Sequence, residues 1–127
     1  MENKKSLVEI VENNTSTVNE TIDYMDKFTE EFTNKVSSSK LLSKIELIGY
    51  AMQLERIAKL MDSCEHLIKK TCQALLVADL DEEGNDIEYC FEHYSDCANR
   101  YEKFKEKAYK KVLSEEYLEM IFEGINN

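Results

Sequence analysis

Val11, Val18, Met25 and Phe32 stand at successive intervals of seven, with Leu7, Ile22, Phe28 and Val36 flanking them. Seven residues make about two turns of an α-helix, so the spacing gathers these apolar side chains into one stripe, which must be buried against another element. A strand alternates its side chains between two faces and would scatter the same residues. The pattern therefore commits residues 5–37 to amphipathic helix. One interruption is expected at 13–16, where Asn13, Asn14, Thr15 and Ser16 are consecutive polar residues and Thr17 with Glu20 has capping-box spacing.

The rest of the chain keeps the same rhythm. Ser37, Ser38 and Ser39 are poor helix interior and good N-caps, and after them a helix is expected over 40–77. It has two neighbouring apolar stripes. Leu47, Ala51, Leu54, Ala58, Met61, Ile68, Cys72 and Leu75 form one; Ile45, Ile48, Met52, Ile57, Leu60, Cys64 and Leu67 form the other. So broad a face suits two packing partners. DLDEEGND, with its Gly84-Asn85 pair, reads as a turn. Ile87, Cys90, Tyr94, Cys97, Tyr101, Phe104 and Ala108 then define a third helix over 86–112. Ser114 is placed to cap a short helix over 115–123 that Gly124 would end. Proline is absent and there are only three glycines, which leaves long helices unbroken. No internal repeat or low-complexity linker divides the chain, so residues 1–127 read as one domain. Short connections make successive helices antiparallel neighbours. The expected fold is all-α: an up-down-up antiparallel bundle of three long helices with a short C-terminal helix.

Charge narrows the functional classes. The formal net charge is −10, and Asp79, Asp81, Glu82, Glu83, Asp86, Glu88, Glu92 and Asp96 follow one another without an intervening Lys or Arg. Direct nucleic-acid binding is disfavoured there, because affinity for phosphates comes mainly from Lys and Arg. These eight acids form instead a candidate binding surface for a basic protein partner. From Arg100 to Lys111 the balance reverses, with six basic residues against two glutamates. No apolar run reaches the roughly 18 residues a membrane span needs, and MENKKSLVEIVENN lacks the apolar core of a signal peptide. No membrane partner and a cytoplasmic location are expected.

The cysteines and histidines pose the question of a metal site. If the second and third helices form a hairpin turning near residue 81, Cys72 lies level with Cys90 and Cys64 level with Cys97. The two levels are then roughly 11 Å apart at about 1.5 Å rise per residue. A tetrahedral ion needs each sulfur at about 2.3 Å, so one four-cysteine site is excluded. Cys64, His93 and Cys97 are the weaker mixed candidates, with a carboxylate or water completing the set. His66, two residues from Cys64, points to the solvent side. Reduced core thiols are the leading reading, with disulfides and metal ligation as alternatives. The twin pairs resemble those of the coiled-coil-helix-coiled-coil-helix family, whose resemblance implies two disulfides across a helical hairpin. That family places nine residues within each pair. Here seven separate Cys64 from Cys72 and six separate Cys90 from Cys97.

Other patterns carry less. DLDEEG supplies the first half of an EF-hand loop, but Asp86 and Cys90 occupy positions where the second half needs an apolar residue and a bidentate acid. LERIAK resembles a helical phrase of PhoU-type phosphate-signalling bundles, whose metal-binding acid is replaced here by Lys59. Glu55, Lys59 and Asp62 accordingly read as a surface charge ladder. Tyr94, Tyr101, Phe104, Tyr109 and Tyr117 follow helical spacing and are expected in the core. Neither histidine has a nucleophile at a usable spacing, and no glycine-rich phosphate loop exists, so no catalytic residue and no cofactor are expected.

The functional expectation is a noncatalytic bundle acting through protein-protein binding or homo-oligomeric self-association. The alternative is an inhibitor or immunity-type protein, of the kind phage and mobile elements encode, that occupies the basic groove of a nucleic-acid-binding protein. A thiol-based metal or redox sensor is the third class.

Overall fold

The structure, a computed structural model, describes residues 6–37, 42–79 and 87–126. It contains α1 (Leu7–Ser37), α2 (Lys44–Asp79), α3 (Ile87–Lys110) and α4 (Glu115–Asn126), and no strand among the described residues. None of these helices is long and apolar enough to cross a membrane.

Cross-helix pairs fix the directions. Asn14 donates to Thr71 at 3.0 Å, Arg56 lies over the Tyr24 ring, and Phe32 meets Tyr50 edge-on. One number rises as the other falls, so α1 and α2 run antiparallel. Tyr89 reaches Glu12, Arg100 reaches Asn19 and Asp23, and Lys107 bridges Asp26 and Glu30, so α1 and α3 run parallel. Tyr101 donates its hydroxyl proton to the Met61 carbonyl at 3.2 Å across the α2–α3 seam. The result is the up-down-up bundle, with α4 against the start of α2.

Val11, Val18, Met25 and Phe32 are all buried, as the heptad stride requires. The main core adds Leu54, Ile57, Met61, Cys64, Cys97, Tyr101, Phe104, Val112 and Ile121. A smaller cluster of Val11, Leu75 and Cys90 closes the opposite end of the bundle. Fully burying one large apolar side chain contributes roughly 1.5–3 kcal/mol, and the main cluster draws on all four helices, the smaller on three.

Four expectations need correction. The break at 13–16 does not form: α1 is continuous. Thr15 and Thr17 turn their hydroxyls back onto the carbonyls of Val11 and Asn13, at 2.7 and 2.9 Å, so they cap nothing. The capping box stands elsewhere, at Ser43 and Glu46, which bond each other's backbone amides at 3.2 and 3.3 Å and start α2 at Lys44. Ser38 and Ser39 lie outside the described residues. Gly124 does not end α4, which continues to Asn126. A side chain there would run into Leu47, so this glycine permits close approach of α4 to α2. Finally, Ala58 and Tyr109 are exposed, as are Ile45, Ile48 and Met52 of the second α2 stripe. Ser114 does cap α4, accepting from the Tyr117 amide at 3.3 Å.

Candidate functional site

The cysteine question resolves residue by residue. None of the four cysteines is joined in a disulfide. Cys64 and Cys97 come together in the main core, and Cys97 points its thiol at the Thr15 carbonyl, 3.9 Å away. Burial pushes the Cys64 thiol up from its ordinary 9.0 to about 11, with Cys97 adding to the effect. Burial likewise raises Cys97, partly offset by the Arg100 guanidinium. Both are held as neutral thiols, the opposite of what a nucleophile or metal ligand requires.

His93 does not join them. It is exposed and its ring packs at a tilt against Tyr89, with ring centroids 4.4 Å apart, on the side of α3 that borders Glu12, Asn19 and Asp23 of α1. The mixed set Cys64, His93 and Cys97 is therefore not assembled, because His93 turns toward α1 while Cys64 stands on α2. Among the described residues no three His, Cys, Asp or Glu side chains are placed to hold one ion. Cys90 belongs to the second cluster, and Cys72 pairs with Tyr94, whose hydroxyl is raised by that hydrogen bond and by burial. His66 is exposed, as its helical phase requires.

Of the eight acids, Asp81, Glu82, Glu83 and Asp86 lie outside the described residues, as does the partial EF-hand loop, and Asp79 is described only as the last helical residue of α2. Glu88, Glu92 and Asp96 are exposed on α3. Their spacing of four keeps them on one side of the helix, roughly 6 Å apart along its axis. Glu88 and Glu92 border an open groove of about 440 Å³ between the end of α2 and the start of α3. Its floor and walls are apolar: Leu75, Leu76, Ile87, Phe91, Cys72 and Tyr94. Phe91 and Leu76 remain largely exposed there. Chemically the groove offers, among the described residues, apolar contact, two carboxylates and the Cys72 thiol.

A second surface lies on α2. Ile45, Ile48, Met52, Glu55, Lys59, Asp62, His66 and Lys70 succeed one another in strides of three and four along α2, and all are exposed. The first three are apolar, with Ile45 at 82% and Met52 at 67% exposure. From Glu55 onward the same stripe is polar, and Glu55 pairs with Lys59 at 3.4 Å, as the charge ladder anticipates. The periodicity that marks Ile45, Ile48 and Met52 as apolar face is the same for a buried and an uncovered stripe, so only packing distinguishes them. Compared with family models, curated proteins and solved structures, the chain has no match in any of the three.

Proposed function

We propose that this chain is a noncatalytic helical bundle that acts by binding another protein, through apolar surface its own helices leave uncovered. The observation that supports the reading is the start of α2, where Ile45, Ile48 and Met52 occupy successive turns and face solvent. Single exposed apolar residues are ordinary, but three in register on one helix form a patch of the kind that marks interaction sites. The neutral, buried thiols of Cys64 and Cys97 support a role without catalysis. The test is affinity capture from the native cell with the parent chain and with Met52→Lys. A defined protein retained by the parent and lost with the variant, at equal helicity, is expected. Retention unchanged by Met52→Lys, or turnover of a small molecule at enzymatic rates, would overturn the reading.

Glu88, Glu92 and Asp96 on one side of α3 favour a second reading, that of an inhibitor or immunity-type protein seated in the basic groove of a nucleic-acid-binding protein. Such binding weakens steeply with salt, since exposed charges are screened over about 8 Å at physiological ionic strength. A target complex indifferent to salt would remove it.

A further inference from the structure

We propose that a second copy of this chain covers the apolar start of α2, the two helices lying antiparallel about a twofold axis level with Gly49. This deepens the protein-binding reading and rests on it, by naming the partner.

Charge arranged around the patch points to this occupant. At 3.6 residues per turn, Lys44, Glu55, Ile48, Lys59, Met52 and Ile45 fall within about 100° of one another around the axis of α2. All six are exposed. The apolar three thus lie between a cation at the helix start and an anion three turns later. A twofold interface sets residue i against j and j against i. With the axis level with Gly49, Lys44 stands opposite the partner subunit's Glu55, and Glu55 opposite the partner subunit's Lys44. Between these two pairs Ile48 lies nearest its own counterpart, and Ile45 stands opposite the partner subunit's Met52.

Other self-pairings lack this match. Parallel helices would set Lys44 against Lys44 and Glu55 against Glu55. An axis level with Asp62 would set Asp62 against itself and leave Ile45, Ile48 and Met52 far from their counterparts. Only the proposed register buries the apolar residues and pairs the charges together.

Lys44 has no ion-pair partner among the described residues, and Glu55 holds only Lys59 of its own helix. An exposed pair of that kind contributes little and yields readily to a second cation. At Gly49 there is open space where a Cβ would stand, so the backbone does not crowd the neighbouring helix. Arg56, the next cation on α2, is engaged over the Tyr24 ring and does not compete for the face. The contact runs about 16 Å from Lys44 to Glu55 at about 1.5 Å per residue. That is small beside the roughly 1,200 Å² at the lower end of stable interfaces, so the dimer is weak and concentration-dependent.

Sedimentation equilibrium from micromolar to millimolar concentration tests the proposal. The parent is expected to rise from monomer toward dimer mass, and Met52→Lys to remain monomeric with unchanged helicity. Lys44→Glu alone and Glu55→Lys alone are each expected to associate at least tenfold more weakly, because each sets like charges opposite one another twice. An equimolar mixture of these two variants restores opposite charges at both contacts and is expected to recover association. A parent that stays monomeric throughout overturns the self-pairing and leaves protein binding to be decided by the capture experiment. Dimerisation of Met52→Lys equal to the parent places the interface elsewhere and also overturns it. A mixture no tighter than its components overturns the antiparallel register.

Discussion

At the scale of single residues, burial and not coordination governs the cysteines. The folded state holds the Cys64 proton to about 11, where an ordinary thiol loses it near 9.0. Between those values the unfolded chain binds fewer protons than the folded one, so unfolding gains as pH rises. The stabilisation is complete below about pH 9 and is lost as pH climbs through about 11. Cys97 and Tyr101 are raised by burial and act in the same direction. Thermal denaturation is therefore expected to show a melting temperature that falls from pH 9 to 11. Cys64→Ala is expected to be less stable at neutral pH and to show a shallower decline. A slope identical in the two proteins would show that this thiol does not titrate with unfolding. Methyl-sized changes beside such thiols matter because neighbours relax only partially around a cavity.

At the scale of elements, α1 shows tertiary contacts overriding local preference. Asn13, Asn14, Thr15 and Ser16 have the composition of a helix break, and the Thr17-Glu20 pair has the spacing of a cap. Yet Val11 and Val18 flank the segment in the core, Thr15 is itself buried, and Asn14 reaches Thr71. A break would move these groups off α2 and α3. Hydrogen exchange is expected to find the amides of residues 14–18 protected to the same order as those of 22–29. Rapid exchange confined to 14–18 would show that the helix opens there. Within α1, Thr21, Thr29 and Thr33 repeat the same back-bonding to the carbonyl four residues earlier, at 2.8, 2.8 and 2.7 Å. Threonine in this chain is thus accommodated inside the helix by satisfying its hydroxyl locally. At the far side of α1, the Lys107 ammonium beside Glu30 holds that carboxyl below its usual range, while Asp26 and Glu30 raise the lysine. These exposed pairs favour the parallel register of α1 and α3 without supplying much stability.

At the scale of the whole molecule, α4 belongs to the same core as the three long helices. Ile121 is buried in the main cluster, whereas its neighbour Phe122 faces solvent. Truncating a buried isoleucine typically costs about 2–5 kcal/mol, and an exposed position usually stays within about 0.5. Ile121→Ala is accordingly expected to lower the urea midpoint of the entire bundle in one cooperative transition, with Phe122→Ala close to the parent. A separate early transition in Ile121→Ala would show that α4 unfolds alone. The start of α2, whose Leu47 meets Gly124 of α4, also carries the exposed Ile45, Ile48 and Met52.

Periodicity by itself determined the number, order and direction of the helices, because a seven-residue apolar stride on proline-free segments admits few other arrangements. It also placed Cys64 level with Cys97, since facing positions in a hairpin follow from rise per residue alone. It could not decide which apolar stripe of α2 is covered. Ile57 and Cys64 lie inside while Ile45, Ile48 and Met52 of the same stripe lie outside, because α1, α3 and α4 together close only part of that face. His93 shows the same limit: its sequence neighbours place it near the seam, but α3 is rotated so that the ring packs against Tyr89 beside α1. Helical phase gives each side chain an angle about its own axis. Which angle faces a neighbour depends on how the helices rotate against one another, and that is settled by packing summed over the whole core.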